Sequence, residues 1–259
     1  HSVGIVRDAV IEWQITKAKM DQPWALPVVA ETFDGYLNDI NGFHIRKPHV
    51  FEAIENACTG PVAEGNVGGG TGMICHEFKG GIGTASRRLD EKTGGFTVGV
   101  LVQANHGLRH HLRIAGVPAG MEIRENLVKS KDEGSIIIVV ATNAPLMPHQ
   151  LKRLARRAAL GLGRTGSIGS NFSGDIFLAF STANATAAVA QEIVQLTMVP
   201  NEKLDPIFDA TVSAVEEAII NALVAAETMV GQDNHKVIAI PHDRLREVMK
   251  KYGRLMNDE

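Results

Sequence analysis

The apolar positions of the chain alternate between helical spacing and strand-like runs. In "SVGIVRDAVIEWQITKAKM" (2–20), Val3, Val6, Val10 and Trp13 recur at helical spacing and predict a helix. "WALPVVAETF" (24–33) reads as a short buried strand, and "DGYLNDINGFHI" (34–45) is rich in turn formers. "KPHVFEAIENACTG" (47–60) predicts a second helix, with Pro48 in its first turn and Gly60 past its end. The stretch 64–89 is too dense in glycine for a helix interior and predicts bent strands and tight turns. "GFTVGVLVQAN" (95–105) alternates like a strand and ends at a polar tip.

The charged segment "EIRENLVKSKDEG" (122–134) predicts a flexible, solvent-exposed crossing. Behind it, "SIIIVVAT" (135–142) is a continuous apolar run, which predicts a central strand covered on both faces. "PHQLKRLARRAALGLG" (148–163) sets Leu151, Leu154, Ala155 and Ala158 on one helix side, and "GDIFLAFSTAN" (174–184) predicts another strand. The longest predicted helix is 205–231, opened by Asp205 and Pro206 and closed at Gly231. The segment 239–253 predicts a strand end and a last helix. Strands apolar on both faces need cover on both faces, and the element order is not a clean β-α-β-α rotation. The pattern therefore predicts an α+β fold, a four-layer αββα sandwich, in preference to a doubly wound parallel sheet.

Composition narrows the function classes. The 259 residues suit one large domain or two small ones, and the 44% apolar share is enough for a sizeable core. A net charge of −3 implies neither a nucleic-acid surface nor an acidic tail. Cys58 and Cys75 fit no disulfide framework or zinc knuckle and read as reduced and buried. No apolar run is long enough to span a membrane and no signal peptide is visible. The expectation is a cytoplasmic protein with no membrane or nucleic-acid partner. The first residue is His1, not Met, which predicts further N-terminal sequence that is lost, processed away or supplied as another chain.

Most candidate motifs have weak support. "GNVGGGTG" (65–72) invites a phosphate-loop reading, but strand-like "MICHEF" follows it where a phosphate cradle needs a helix N-terminus. His106 and His110 of "HGLRHH" could share a helix face and bind metal, yet no carboxylate or cysteine stands close in sequence, so a surface or supporting role is expected. The basic face formed by Lys152, Arg153, Arg156 and Arg157 reads as solvated. "GSIGS" (166–170) has the wrong order for a serine-hydrolase elbow.

Gly134-Ser135, where the charged segment meets the strand, admits two readings. One is an ordinary turn exit. The other is a cut between the two residues, which makes Ser135 an N-terminal nucleophile. A serine hydroxyl needs a base to take its proton, and an N-terminal residue carries one in its α-amine, with a reference pKa of about 7.7–8.0. To reach that state the Ser135 hydroxyl must attack the preceding carbonyl and water must resolve the ester. Glycine at 134 does not crowd that attack.

Six long stretches resemble the DmpA family of L-aminopeptidase/D-esterases and β-peptidyl aminopeptidases. They are "PVVAETFDGYLNDINGFH", "GPVAEGNVGGGTGMICHEFKGGIGTASR", "VGVLVQAN", "EGSIIIVVAT", "PHQLKRLARRAALGLGRTGS" and "SGDIFLAFSTAN". The resemblance runs through nearly the whole chain. It implies a sandwich similar to the N-terminal-nucleophile hydrolases but wired differently, and self-cleavage at Gly134-Ser135. Residues 1–134 would then be the C-terminal part of an α-subunit and 135–259 the β-subunit. It implies Ser135 as nucleophile, Ser173 and Asp175 as its proton-handling partners, Asn105 as an oxyanion donor, and Glu31 as the partner of the substrate's amino group. It also implies substrates with a free amino terminus, no metal or cofactor, and an oligomer of αβ units. From the residues alone, Asn105 also reads as a strand-end cap, Glu31 as an ion-pair member, and Ser173 with Asp175 as turn chemistry. The competing class is a non-catalytic or phosphate-ligand-binding protein using the 65–72 loop. Two features depart from the family: about a hundred residues that its members carry before the point of His1, and a chain written unbroken across 134–135.

Overall fold

The computed structural model describes residues 1–255 except 19, 21, 129–133 and 189–192. The larger elements, in chain order, are α1 (Val3–Lys17), α2 (Lys47–Glu55), β1 (Ile74–Cys75), β2 (Phe78–Lys79), β3 (Gly81–Arg88), β4 (Thr97–Asn105), α3 (Ala119–Glu122), β5 (Ser135–Thr142), α4 (Pro148–Arg164), β6 (Ile176–Ser181), α5 (Asp205–Val224), β7 (Met229–Val230), β8 (Lys236–Val237) and α6 (His242–Lys251). The central sheet runs β3-β4-β5-β6. β3, β4 and β5 pair antiparallel, while β5 and β6 pair parallel across the α4 crossover. The class is α+β, as the pattern predicts.

Strand periodicity sorts each strand's side chains onto two faces. Val98, Val100, Val102 and Ala104 of β4 and Ile136, Ile138 and Val140 of β5 are buried in one core with Leu154, Ala158 and Leu162 of α4 and with Ala214, Ala218 and Ala222 of α5. Burying each β-branched or leucine side chain stabilises the fold by about 1.5–3 kcal/mol. The helix α5 lies close on β3: a Cβ at Gly83 would stand 1.9 Å from the carbonyl oxygen of Ala218. The other sheet face is less covered. Ile137 and Val139 are half-buried there, and Ile176, Leu178 and Phe180 of β6 are exposed. The expected double cover of β5 is thus present on one face among the described residues.

Four expectations change. The run 24–33 joins no ladder; Trp24, Leu26 and Val28 are exposed, and an apolar strand pattern without a partner edge stays irregular. The longest helix ends at Val224, not Gly231. The side chain of Asn66 brackets Glu227 there, donating to its carbonyl at 2.8 Å and accepting from its N–H at 3.1 Å, which supplies the backbone partners a further helical turn would need. Cys58 is exposed, since α2 ends before it, whereas Cys75 is buried. The last strand lies at Lys236–Val237, ahead of the predicted position. Of the predicted flexible crossing, residues 129–133 lie outside the described residues.

Candidate active site at the head of β5

Sheet register brings the site together. Ser135 opens β5 and pairs directly with Asn105, the last residue of β4. Odd-numbered residues of both strands point away from the helix layer, so Gln103, Asn105 and Ser135 share the less covered face. Gly134 lies against the end of β4: a Cβ there would stand 2.1 Å from the carbonyl oxygen of Asn105, so close approach requires glycine at this position.

The Ser135 hydroxyl is half-buried, and its Oγ accepts the backbone N–H of Gly174 at 2.9 Å. Ser173 and Asp175 flank that glycine. They lie in the approach to β6, which begins at Ile176 and not at the predicted position 174, and they meet there: the Ser173 hydroxyl donates to Asp175 Oδ1 at 2.5 Å. The same oxygen accepts the N–H of Ile136 at 3.0 Å, which ties the carboxylate to the residue after Ser135.

Asn105 is buried, and its amide bridges two segments. Nδ2 donates to the carbonyl of Phe33 at 2.8 Å, and Oδ1 accepts the N–H of Ile74 at 2.8 Å. One position earlier on that face, Gln103 Nε2 donates to Thr32 Oγ at 2.9 Å. Thr32 and Phe33 are thereby tied to β4, and they carry Glu31 beside the same sheet end. Glu31 is exposed and enters no salt bridge among the described residues.

The glycine-rich loop is not built as a phosphate cradle. Gly68–Gly70 form a single 3₁₀ turn, and β1 follows in place of a helix. Lys79 is fully buried behind it and donates from Nζ to the carbonyls of Gly70 at 3.0 Å, Met73 at 3.0 Å and Gly80 at 2.8 Å. One carbonyl of the loop, that of Gly70, therefore faces an internal cation.

A model of peptidase family S58 matches residues 1–237. The chain belongs to peptidase family S58. It is 52% identical to the β-peptidyl aminopeptidase BapA of Sphingosinicella microcystinivorans, over 98% of this chain and 68% of the relative. Among solved structures, the L-aminopeptidase D-Ala-esterase/amidase of Ochrobactrum anthropi superposes with a TM-score of 0.91 at 51% identity, covering 99% of this chain and 72% of that one. That protein is described as a prototype for the serine aminopeptidases and a variant of the Ntn hydrolase fold. A Burkholderia sp. β-aminopeptidase superposes with a TM-score of 0.88 at 48% identity, over 98% and 72% of the two chains. The chain thus spans about two thirds of the length of the curated relatives it matches. As a member of S58 it is an enzyme of the aminopeptidase class.

Several buried groups packed beside this end of the sheet escape sequence reading. The turn between β1 and β2 has His76 at φ 49° and Glu77 at φ 60°, a left-handed pair that costs about 1–2 kcal/mol per residue without glycine. Arg109 offsets it. The buried guanidinium donates to the carbonyls of His76 at 2.9 Å, Glu77 at 2.6 Å and Ile123 at 3.0 Å, and stacks 3.2 Å over the Phe78 ring. Burial lowers its pKa to about 10, partly opposed by the charges of Glu77 and Glu125. Burial also lowers Lys79 to about 8, partly opposed by Cys75. His106 follows Asn105 and is held well below the usual imidazole range by burial and by His76. It lies on no helix face with His110, contrary to the sequence reading: it precedes the 3₁₀ turn Arg109–His111 and packs edge-on against His76. Their foreshadowing in the sequence is slight: Lys79 stands in an otherwise apolar and glycine-rich stretch, whereas Arg109 and His106 lie in the polar run "NHGLRHHLR".

Proposed function

We propose that this chain is a self-processing serine aminopeptidase whose nucleophile is Ser135, freed as an N-terminal residue by cleavage after Gly134. The observation that carries this reading is the Ser135 hydroxyl at the head of β5, accepting the Gly174 N–H and flanked by the Ser173–Asp175 pair. An N–H donated to Oγ stabilises developing alkoxide charge while leaving the hydroxyl's own proton for the α-amine. Ser135 Oγ attacks the carbonyl after the substrate's first residue, and its proton passes to the amine, with Ser173 as relay and Asp175 opposite the ammonium. The C–N bond then breaks, the leaving amine takes the proton, and water resolves the acyl-enzyme ester.

Asn105 has two amide protons, of which one is donated to Phe33. The second is assigned to the oxyanion, together with backbone N–H groups. Glu31 binds the substrate's ammonium, an arrangement supported by its exposure and by the anchoring of Thr32 and Phe33 to β4. Substrates are short peptides, amides or esters with a free amino terminus. The eight register pairs between β4 and β5 support two fragments that stay associated as one αβ unit after the cut. We extend this to a homo-oligomer of such units.

The test is a denaturing gel with terminal sequencing. Two fragments are expected, the smaller beginning Ser-Ile-Ile-Ile, and Ser135→Ala gives a single band without amidase activity. A wild-type chain that stays whole and still hydrolyses an amino-acid anilide overturns the mechanism.

A further inference from the structure

The hairpin β1–β2 and the end of β4 bring Cys75, His76 and His106 into one cluster, although the sequence places no cysteine near His106. All three are buried, at 0%, 0% and 3% exposure, and one ligand atom of each lies within 4.8 Å of the other two. We propose that these three residues bind a single borderline-soft divalent cation of the zinc type. The site stands apart from the hydrolytic reading and does not depend on it.

The orientation of the rings supports ligation. His76 Nδ1 lies 3.0 Å from the carbonyl oxygen of Leu108. A carbonyl only accepts, so the proton sits on Nδ1 and Nε2 is the basic nitrogen. A backbone carbonyl behind the second ring nitrogen is the usual support of a metal-bound histidine. His106 places Nδ1 4.0 Å from Cys75 Sγ, and its buried Nε2 has no hydrogen-bond partner among the described residues. The two rings meet edge-on, centroids 5.1 Å apart at 73°. A tetrahedral zinc centre with Zn–S of about 2.3 Å and Zn–N of about 2.0–2.1 Å sets ligand atoms about 3.5 Å apart, so the cluster closes onto an ion by side-chain movements of roughly 1 Å or less.

One thiolate and two imidazoles select zinc or cobalt over magnesium and calcium, which take oxygen ligands. Binding releases the Cys75 proton to solvent, and three protein ligands leave a fourth position for water. The ion would fasten the hairpin to the residue next to Asn105, where two hydrogen bonds already cross: His76 N–H to the His106 carbonyl at 2.7 Å and Ile74 N–H to Asn105 Oδ1.

The test is titration of the chelator-stripped full chain with Co²⁺. We expect one equivalent bound, with a thiolate-to-cobalt charge-transfer band and intense tetrahedral visible bands, both removed by Zn²⁺ and unaffected by Mg²⁺. Cys75→Ser and His106→Gln weaken binding by about 100-fold or more, while Cys58→Ser, which alters the exposed thiol, keeps it. X-ray absorption of the zinc-loaded unsubstituted chain reads one sulfur and two nitrogen neighbours, so the proposal does not hang on a variant that folds. An unsubstituted folded chain that takes up no cobalt, a thiolate band lost in Cys58→Ser, or an all-oxygen zinc shell overturns it.

Discussion

Two polar clusters meet at Asn105 and are built on opposite terms. On one side, Ser135, Ser173, Asp175 and Glu31 are half-buried or exposed, and short hydrogen bonds join Ser173 to Asp175 and Ser135 to the intervening Gly174. On the other, Lys79, Arg109 and His106 are almost wholly buried and bonded mainly to backbone carbonyls or packed ring on ring. The open cluster has the groups that chemistry needs. The closed cluster has groups that only a folded chain can accommodate, each costly to bury without its partners. On the proposed mechanism, catalytic reach and positional rigidity fall to different residues, with Asn105 shared: its oxygen accepts from the hairpin, one amide proton goes to the Phe33 carbonyl, and the other is the one assigned to the oxyanion.

The sharpest break of the open cluster is Ser135→Ala. It leaves the chain unprocessed and should lower kcat for amide hydrolysis by on the order of 10⁵–10⁶-fold, read by single-turnover kinetics. The corresponding break of the closed cluster is Arg109→Met. It leaves the carbonyls of His76, Glu77 and Ile123 without their donor, at about 1–3 kcal/mol for each buried group left unsatisfied, and should lower stability in urea unfolding accordingly. Activity measured below the variant's midpoint should fall far less than in Ser135→Ala. A reversal of the two effects would mean that the clusters do not divide the work.

The division also explains what could be read from the chain. β5 and α4 were legible because their partners impose a simple period: Ile136, Ile138 and Val140 against Leu154 and Ala158. The start of α5 was legible in Asp205 and Pro206, but its end was not, because the deciding residue is Asn66, 161 positions from Glu227. The open cluster was legible through resemblance alone. Asn105 and Ser135 are neighbours by sheet register, which no local spacing encodes. The closed cluster was missed because Arg109 and His106 look like surface residues of a polar turn until the hairpin packs on them.

Asn105→Ala tests the shared residue. Loss of an oxyanion donor should lower kcat by about 10²–10³-fold. Loss of the Phe33 and Ile74 hydrogen bonds should cost about 1–3 kcal/mol of stability as well, so the assay belongs below the variant's midpoint. A stability loss with kcat intact would place Asn105 wholly in the closed cluster. Glu31→Gln should act on substrate recognition: a drop of about 10–100-fold in kcat/KM for substrates with a free amine, carried by KM, and no drop for N-acetylated esters. Equal losses on both substrates would remove Glu31 from amine binding.

The smallest effect concerns Lys79, and its sign separates two views of the closed cluster. Its folded pKa is about 8 against an ordinary 10.5. Between those values the unfolded chain holds the proton and the folded chain has released it. The unfolded state then binds more protons, so this group makes stability rise with pH by up to about 1.4 kcal/mol per pH unit. Below pH 8 both states are protonated and the contribution is flat. Arg109 begins to titrate near 10, so the clean window is pH 8–10. The stability difference between wild type and Lys79→Met, from urea unfolding across that window, should grow with pH, because only the wild type sheds the proton on folding. A difference that shrinks with pH would mean that the carbonyls of Gly70, Met73 and Gly80 hold the ammonium more firmly than burial repels it, and that the closed cluster is fastened by charge and not in spite of it.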